Sequence, residues 1–336
     1  GYIYVLCEGA YVGAFLFEPN GEFNGFYGAN STNKSPLTTI AFLWDKLTGN
    51  DVKRSKTIRT LPFQFVDFAI DDKDFVYTCT GKTTEGGSTG QLRVLSPGGS
   101  NILYRDNWNG NRISAASFNF GEKDSFKRNN NYIEQNFIGI ATDSDGFIYL
   151  LDETYGLIYV YDSSCNLLTA FGGGRGFGKE TGVFQKPVAI TAFEDRVFVA
   201  DSMKNTVTVF ERNKYGKLVL KAQKLTLNGD YAEAEPLWQE VIGLDSNSRV
   251  ALRGLAKAAY IKGEYRTALN LAESGYDAIT YSQALKKLQH SFLSDNFLWM
   301  VLGIIVILAL SVAGIVIKLK RKSVVIQNEK LRILLV

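Results

Sequence analysis

Histidine is nearly missing from this chain: His290 is the only one among 336 residues. Imidazole-ligated metal centres need two or more such side chains, so a histidine-built catalytic metal site is excluded. Cysteine is scarce as well. Cys7, Cys79 and Cys165 are odd in number and widely spaced, which excludes both a zinc-type spacing and a disulfide framework. They read as small buried hydrophobes, with one bridged pair as the alternative. No methionine and no signal peptide open the chain; it begins at Gly1 inside an apparent strand, GYIYVL, and reads as a fragment lacking its natural N-terminus. Basic excess is missing from most of the sequence. Six basic residues and one acidic residue follow Ile317, so that tail carries +5 and the remainder −2 of the formal net charge of +3. Without a basic footprint, the larger part has no electrostatic basis for binding nucleic acid.

What the chain does have is apolar surface, 46% hydrophobic and 13% aromatic residues, enough for large cores in two or more domains. One stretch is different in kind. Residues 297–317 (FLWMVLGIIVILALSVAGIVI), bounded by Phe297 and Ile317, carry no charge. An apolar helix of roughly 20 residues spans the hydrocarbon core because all its backbone polar groups are satisfied internally. Lys318, Lys320, Arg321 and Lys322 follow at once, whereas Asp295 precedes the run and Lys286 and Lys287 lie further back. The positive-inside bias places the C-terminus in the cytoplasm and everything before residue 297 outside.

From residue 1 to about 212 the sequence is short β-type runs separated by Gly, Asp and Asn turns. Residues 138–162 (IGIATDSDGFIYLLDETYGLIYVYD) and 188–210 (VAITAFEDRVFVADSMKNTVTVF) are two copies of one unit: Tyr149 matches Phe198, Asp152 matches Asp201 and Tyr161 matches Phe210, each at an offset of 49. Weaker copies run through 65–77 with 92–95, and through 2–6 with 14–17; they carry Thr80 and Cys7 at the position of Asp152. Four-stranded units of this kind bury their faces only by radial stacking, so the pattern predicts a β-propeller with about four blades visible. Asp152 and Asp201 read as acceptors that hold turns, not as catalytic groups.

The loop 172–179 (GGGRGFGK) fits the spacing G-x-x-x-x-G-K at Gly173, Gly178 and Lys179. Glu180 stands where a magnesium-ligating hydroxyl is required, and Phe184 and Pro187 lead into a strand instead of a helix, so the phosphate-loop reading fails. Two insertions break the repeat: 30–60, with Trp44, Lys53, Arg54 and Lys56, and 101–132, with Arg105, Trp108 and Arg112. Long loops on a rigid scaffold are where binding groups are placed. Tryptophan beside arginine suits a sugar ring or a protein anchor, so Trp44, Arg54, Arg105, Trp108 and Arg112 are the candidate binding residues; the plainer alternative is that both tryptophans pack their insertions onto the sheets.

After Lys214 the period changes. Gly229, Tyr231 and Ala234 return as Gly263, Tyr265 and Ala268 at an offset of 34, the tetratricopeptide period. Glycine ends a helix, the aromatic seals the turn and alanine permits close helix approach. Trp238 and Leu237 fill the large positions of the second helix, and Leu252, Leu255 and Ala259 supply an apolar face at helical spacing. The reading is a partner surface or a rigid spacer.

The sheet unit resembles the NHL repeat, in which an Asp-Gly turn and a Tyr-Val-x-Asp step recur, here as Asp145-Gly146 and as Tyr149 to Asp152 or Phe198 to Asp201. Phe171-Gly172, Gly182, Phe184 and Pro187 resemble its connector between blades. The succession of NHL units, helical pair and membrane run resembles bacterial membrane proteins of the YIP1 family with NHL repeats, over nearly the whole chain. That resemblance implies a cell-envelope protein accessory to carbohydrate uptake, although the multi-span YIP1 domain is missing after Val336.

The expected architecture is therefore multidomain: an all-β NHL-type propeller, incomplete at its N-terminus, over 1–213; two tetratricopeptide repeats over 214–275; a capping or juxtamembrane helix over 276–296; a transmembrane helix over 297–317; and a basic cytoplasmic segment over 318–336, cut short. The expected function is a non-enzymatic, membrane-anchored binding or scaffold protein with no cofactor, whose partner is a glycan or protein outside the membrane. Two other classes stand beside it. NHL lyases resemble these units but hold their metal with histidine, leaving for an enzyme an Asp/Glu/Asn calcium-type site; a sensor signalling through the single helix is the other.

Overall fold

The computed structural model describes residues 2–7, 14–27, 65–71, 73, 75–81, 90–95, 101–106, 112–114, 120–121, 127–128, 131–132, 135–174, 176 and 180–334; at 105–106, 112–114, 127–128, 131–132 and 323–334 it describes the backbone alone. Antiparallel sheets come first. Strands β1 (Ile3–Val5), β2 (Ala14–Phe17) and β3 (Phe23–Tyr27) form one meander. Strands β4 (Asp67–Ile70), β5 (Val76–Cys79) and β6 (Leu92–Leu95) form the second, which Asn101 extends by a bridge to Leu95. Two short pairs follow, β7 (Tyr104–Asp106) with β8 (Arg112–Ser114) and β9 (Lys127–Arg128) with β10 (Asn131–Tyr132). The third meander is the complete unit: β11 (Phe137–Thr142), β12 (Ile148–Asp152), β13 (Leu157–Tyr161) and β14 (Leu167–Phe171). The fourth has β15 (Pro187–Phe193), β16 (Arg196–Asp201) and β17 (Thr206–Glu211).

The four meanders carry apolar side chains on both faces, so neighbouring meanders pack face to face. Tyr4 and Leu6 meet the second sheet, where Phe65, Val76 and Leu95 are buried; Cys79, Leu92 and Val94 pack against Phe137, Ile140, Leu150 and Tyr159 of the third; Leu151, Ile158 and Val160 pack against Ile190, Val197 and Val199 of the fourth. The first strands of adjacent sheets touch, and Asp67 Oδ2 accepts the Ile140 N–H at 2.9 Å across that boundary. This is blade-like stacking, but the described sheets do not close a ring. Each end sheet leaves an apolar face uncovered: Ile3, Val5, Phe23 and Phe26 at one end, Phe193, Val207 and Val209 at the other.

The repeat is maintained with one change. The offset between third and fourth sheets is 50 on the first strand, where Phe137 and Pro187 face Asp152 and Asp201, and 49 afterwards. The β15–β16 turn is one residue shorter, with Glu194 at φ 52°, and so loses the acidic residue that Asp143 supplies in the third sheet.

Five helices complete the chain: α1 (Lys214–Asn228), α2 (Tyr231–Leu244), α3 (Arg249–Lys262), α4 (Tyr265–Ser274) and α5 (Ala278–Leu334). Asn213 caps α1 by accepting the Gly216 N–H. Helices α1 and α3 end alike, on Gly229 (φ 90°) and Gly263 (φ 84°) in the left-handed region. The next N–H reaches back five residues, Asp230 to Leu225 and Glu264 to Ala259, at 2.9 and 3.0 Å. This is a Schellman-type stop repeated 34 residues apart. Ala234 and Ala268 are both buried at the helix contacts that follow. Large meets small between α2 and α3, where Trp238 is fully buried against Gly254.

The segments separated in the sequence at 296/297 and 317/318 run as one helix. Asp277 starts it by accepting the N–H groups of Ile279 and Thr280, and α5 continues for 57 residues, about 86 Å at the α-helical rise. Its first turns pack on the array through Ala284. From residue 297 to 317 nearly every side chain is exposed, and the most apolar 18-residue window of the helix has a mean hydropathy of 3.0.

Candidate functional site

The carboxylates that recur in the sheets are consumed by backbone donors. Asp152 is fully buried and accepts N–H bonds from Asn136 (2.8 Å), Thr154 (3.0 Å) and Tyr155 (3.0 Å), tying the start of β11 to the β12–β13 turn. Asp201 does the same for Gln185, Lys186, Met203 and Lys204. Their acidities diverge. Burial pushes Asp152 up to about 6 against its three donors, whereas at Asp201 burial acts in the same sense but is outweighed by four donors, which hold it below the usual carboxylate range. Thr80 takes this place in the second sheet through its hydroxyl on the Gln91 carbonyl.

A second acidic position closes the opposite turn. Asp143 Oδ1 accepts the N–H groups of Asp145 and Phe147, and its Oδ2 accepts the Tyr149 hydroxyl at 2.9 Å. Asp71 repeats this with Lys73, Phe75 and Tyr77. Burial, then the adjacent carboxylate, raises both phenols above their ordinary value. Arg212, at the end of the last strand, extends the Asp143 cluster: its guanidinium donates to Asp143 (2.6 Å), Tyr149 (2.7 Å) and Asp195 (3.1 Å).

Helix α1 docks on this same end of the sheets. Gln223 Nε2 donates to the buried Asp162 carboxylate at 2.7 Å in the β13–β14 turn, Lys224 pairs with Asp145 in the β11–β12 turn, and Lys217 pairs with Asp195 in the β15–β16 turn. One hydrophobic core runs through the contact, from Phe147, Val160 and Leu168 to Val219, Leu220 and Trp238. Strand alternation puts the Asp152 and Asp201 turns at the opposite end, which the helices do not cover.

The long connections leave from that uncovered end. The Glu18–Glu22 turn of the first sheet has the same two backbone bonds as the Asp143–Phe147 and Asp162–Asn166 turns, with Gly21 left-handed like Gly146 and Cys165; both of those turns lie at the helix end, so β3 is read as running away from it into 28–64. Asn101 enters beside the C-terminal end of β6 and runs antiparallel to it, toward the same end, into 107–134. The second insertion is rooted between sheets two and three. Phe120 is buried edge-on to Tyr161, the Tyr161 hydroxyl accepts the Gly121 N–H, and the Gln91 amide bonds the Gln135 carbonyl and the Phe137 N–H.

Trp44, Arg54 and Trp108 lie outside the described residues. Arg105 sits in β7 opposite Ile113, and Arg112 in β8 opposite Asp106. The described part of the glycine loop pairs with the segment before β15: the Gly173 N–H bonds the Gly182 carbonyl and Phe184 pairs with Gly174 and Gly176, and a Cβ on Gly173 would lie 2.7 Å from Gly182 backbone; Gly178 and Lys179 lie outside the described residues. Among the described residues no cluster of three His, Cys, Asp or Glu side chains is set to hold a metal ion. All three cysteines are free, with Cys79 and Cys165 buried.

No protein-family model matches the chain, and no curated protein matches it. Among solved structures it is similar to propeller-type proteins. One is the extracellular domain of the putative one-component system BT4673 from B. thetaiotaomicron (12% identity, TM-score 0.30, 64% of this chain and 22% of that one). Others are a streptogramin B lyase (9%, 0.27, 64% and 55%) and the β-propeller domain of Cps50 (Swd1) from Myceliophteria thermophila (11%, 0.26, 60% and 64%). The chain thus spans between about a fifth and two thirds of these proteins' lengths. At such scores the neighbours carry no argument about ring closure or activity. What stands is a mostly β chain with propeller-type neighbours and one helix long and apolar enough to cross a membrane.

Proposed function

We propose that this chain is a membrane-anchored, non-enzymatic recognition protein whose sheet domain lies outside the cell and binds a glycan or a protein partner. The observation that carries the reading is the polarity of the molecule. The helices and the apolar run leave from one end of the sheets, and both long connections leave from the other. A ligand approaching from outside meets the loop-bearing end first. The four helices over 214–275, read as two tetratricopeptide repeats offset by 34 residues, act as the spacer between sheets and bilayer, and the family resemblance points to carbohydrate uptake. The test is glycan-array and pull-down binding with the full chain in lipid nanodiscs. Binding that is lost when 36–56 or 107–119 is replaced by a short Gly-Ser linker supports the reading; absence of any glycan or protein ligand for a folded chain removes it.

A second reading, a sensor, is favoured by one observation: α5 continues without a break from the packed array through the apolar run to Leu334. Inserting two residues after Asp295 rotates everything downstream by about half a turn. A sensor loses its output under that change, whereas a simple anchor keeps binding.

A further inference from the structure

Just past the apolar run, α5 presents two cations one helical turn apart beside two apolar side chains. Ile315, Lys318, Leu319 and Lys322 line one shallow groove on the helix surface, and Arg321 follows Lys318 by three residues, a neighbouring position on the helix. Lys318, Lys320, Arg321 and Lys322 are all exposed and have no ion-pair partner among the described residues; Ile315 and Leu319 are about three-fifths exposed. The position along the helix is decisive. Residues 297–317 extend about 31 Å at the α-helical rise, the thickness of a hydrocarbon core. With that run across the bilayer, Ile315 lies at the end of the acyl region and residues 318–322 lie at the depth of lipid phosphates.

We infer that this groove holds an anionic phospholipid of the inner leaflet, resting on the membrane-anchor reading above. The phosphate and the acidic headgroup lie between Lys318, Lys322 and Arg321, and an acyl chain runs along Leu319 and Ile315. A neutral headgroup offers its phosphate but carries a compensating cation of its own, so it gains less from three lysine and arginine charges. The outer boundary lacks the arrangement: Lys286 and Lys287 lie about three helical turns before Phe297, Asp295 intervenes, and Phe297 and Trp299 open the apolar run.

The test uses the full chain in nanodiscs of equal phosphatidylglycerol and phosphatidylcholine, with retained lipid read by native mass spectrometry. Phosphatidylglycerol should be enriched about fivefold or more over phosphatidylcholine, as roughly one favourable contact per cation implies. Lys318→Gln with Lys322→Gln should abolish the enrichment, and Lys286→Gln with Lys287→Gln, the same change of charge on the other side, should leave it. Equal retention of the two lipids by an inserted chain, or equal loss in both double variants, overturns the proposal. A chain that carbonate washes off the membrane instead overturns the anchor reading beneath it.

Discussion

Arg212 and Asp143 lie on different sheets, and the guanidinium of one closes on the carboxylate of the other at 2.6 Å. Asp143 is 5% exposed and Arg212 17%. The fourth sheet has no counterpart of Asp143 capping its own turn, and Arg212, at the point where sheets give way to helices, binds the turn of the third sheet together with Asp195 in the turn of the fourth. Removing the arginine leaves the buried Asp143 carboxylate without its counter-charge, although the Asp145 and Phe147 N–H groups and the Tyr149 hydroxyl still donate to it, which costs about 3 kcal/mol. Arg212→Ala should lower the thermal midpoint of the full chain accordingly. Arg212→Lys should recover only part, because one ammonium cannot span Asp143, Tyr149 and Asp195 together. A neutral Arg212→Ala would contradict this role.

Gly254 and Trp238 define the tightest helix contact. A Cβ on Gly254 would lie 2.2 Å from the indole Nε1, which itself donates to Thr226 Oγ1 at 3.0 Å. Gly254→Ala should therefore destabilise by about 1–3 kcal/mol through overpacking, despite the better helix propensity of alanine. Gly243→Ala, in α2 with nothing within 4 Å of the new methyl, should stabilise by a few tenths to about 1 kcal/mol. Differential scanning of both variants reads the opposite signs.

The two turn aspartates should titrate in opposite directions. Asp152, raised to about 6 by burial, binds its proton more tightly in the folded state than in the unfolded one. Its contribution is greatest below the ordinary carboxylate pKa and is lost as pH rises through 6, by up to about 3 kcal/mol. Asp201 is lowered, so its contribution is present above the unfolded value and is lost on acidification through the folded one. The stability difference between the native chain and Asp152→Asn should change between pH 4 and 7, and carboxyl carbon NMR should show Asp152 titrating last of the pair. The same order of titration in both would overturn the assignment.

The second insertion should depend on its root. Phe120→Ala removes the ring that packs on Tyr161 and leaves a cavity costing about 3 kcal/mol or more. Limited proteolysis should cut within 107–134 faster in this variant, while cleavage within α1–α4 stays unchanged.

Much of this was legible from residue types at fixed spacing. The Tyr149–Asp152 and Phe198–Asp201 steps and the Gly229 and Gly263 stops are local devices, so the sequence carries them directly. Docking of the helices on the sheets was not legible. Gln223 and Lys224 look like the solvent face of any helix, and their partners Asp162 and Asp145 look like turn residues. Arg212 reads as one more surface charge, and its buried partner lies 69 residues away. Sequence divides α5 at 296/297 and 317/318 by where charge ends and returns, but hydropathy does not interrupt backbone bonding: the helix runs on through Asp295 and Asn296, with the Asn296 amide on the Phe292 carbonyl. Ring closure was expected from the repeat alone, and repeats specify neighbours, not the number of units.

The most direct test is the side of the membrane on which each half lies. Cys79 and Cys165 are buried, so in a Cys7→Ser background a new exposed thiol reports alone. Ser202→Cys, in the exposed β16–β17 turn, should react with a membrane-impermeant maleimide on intact cells, and Ser323→Cys should react only after permeabilisation. Labelling of Ser323→Cys from outside, or protection of Ser202→Cys, would contradict an external recognition domain held by one crossing helix.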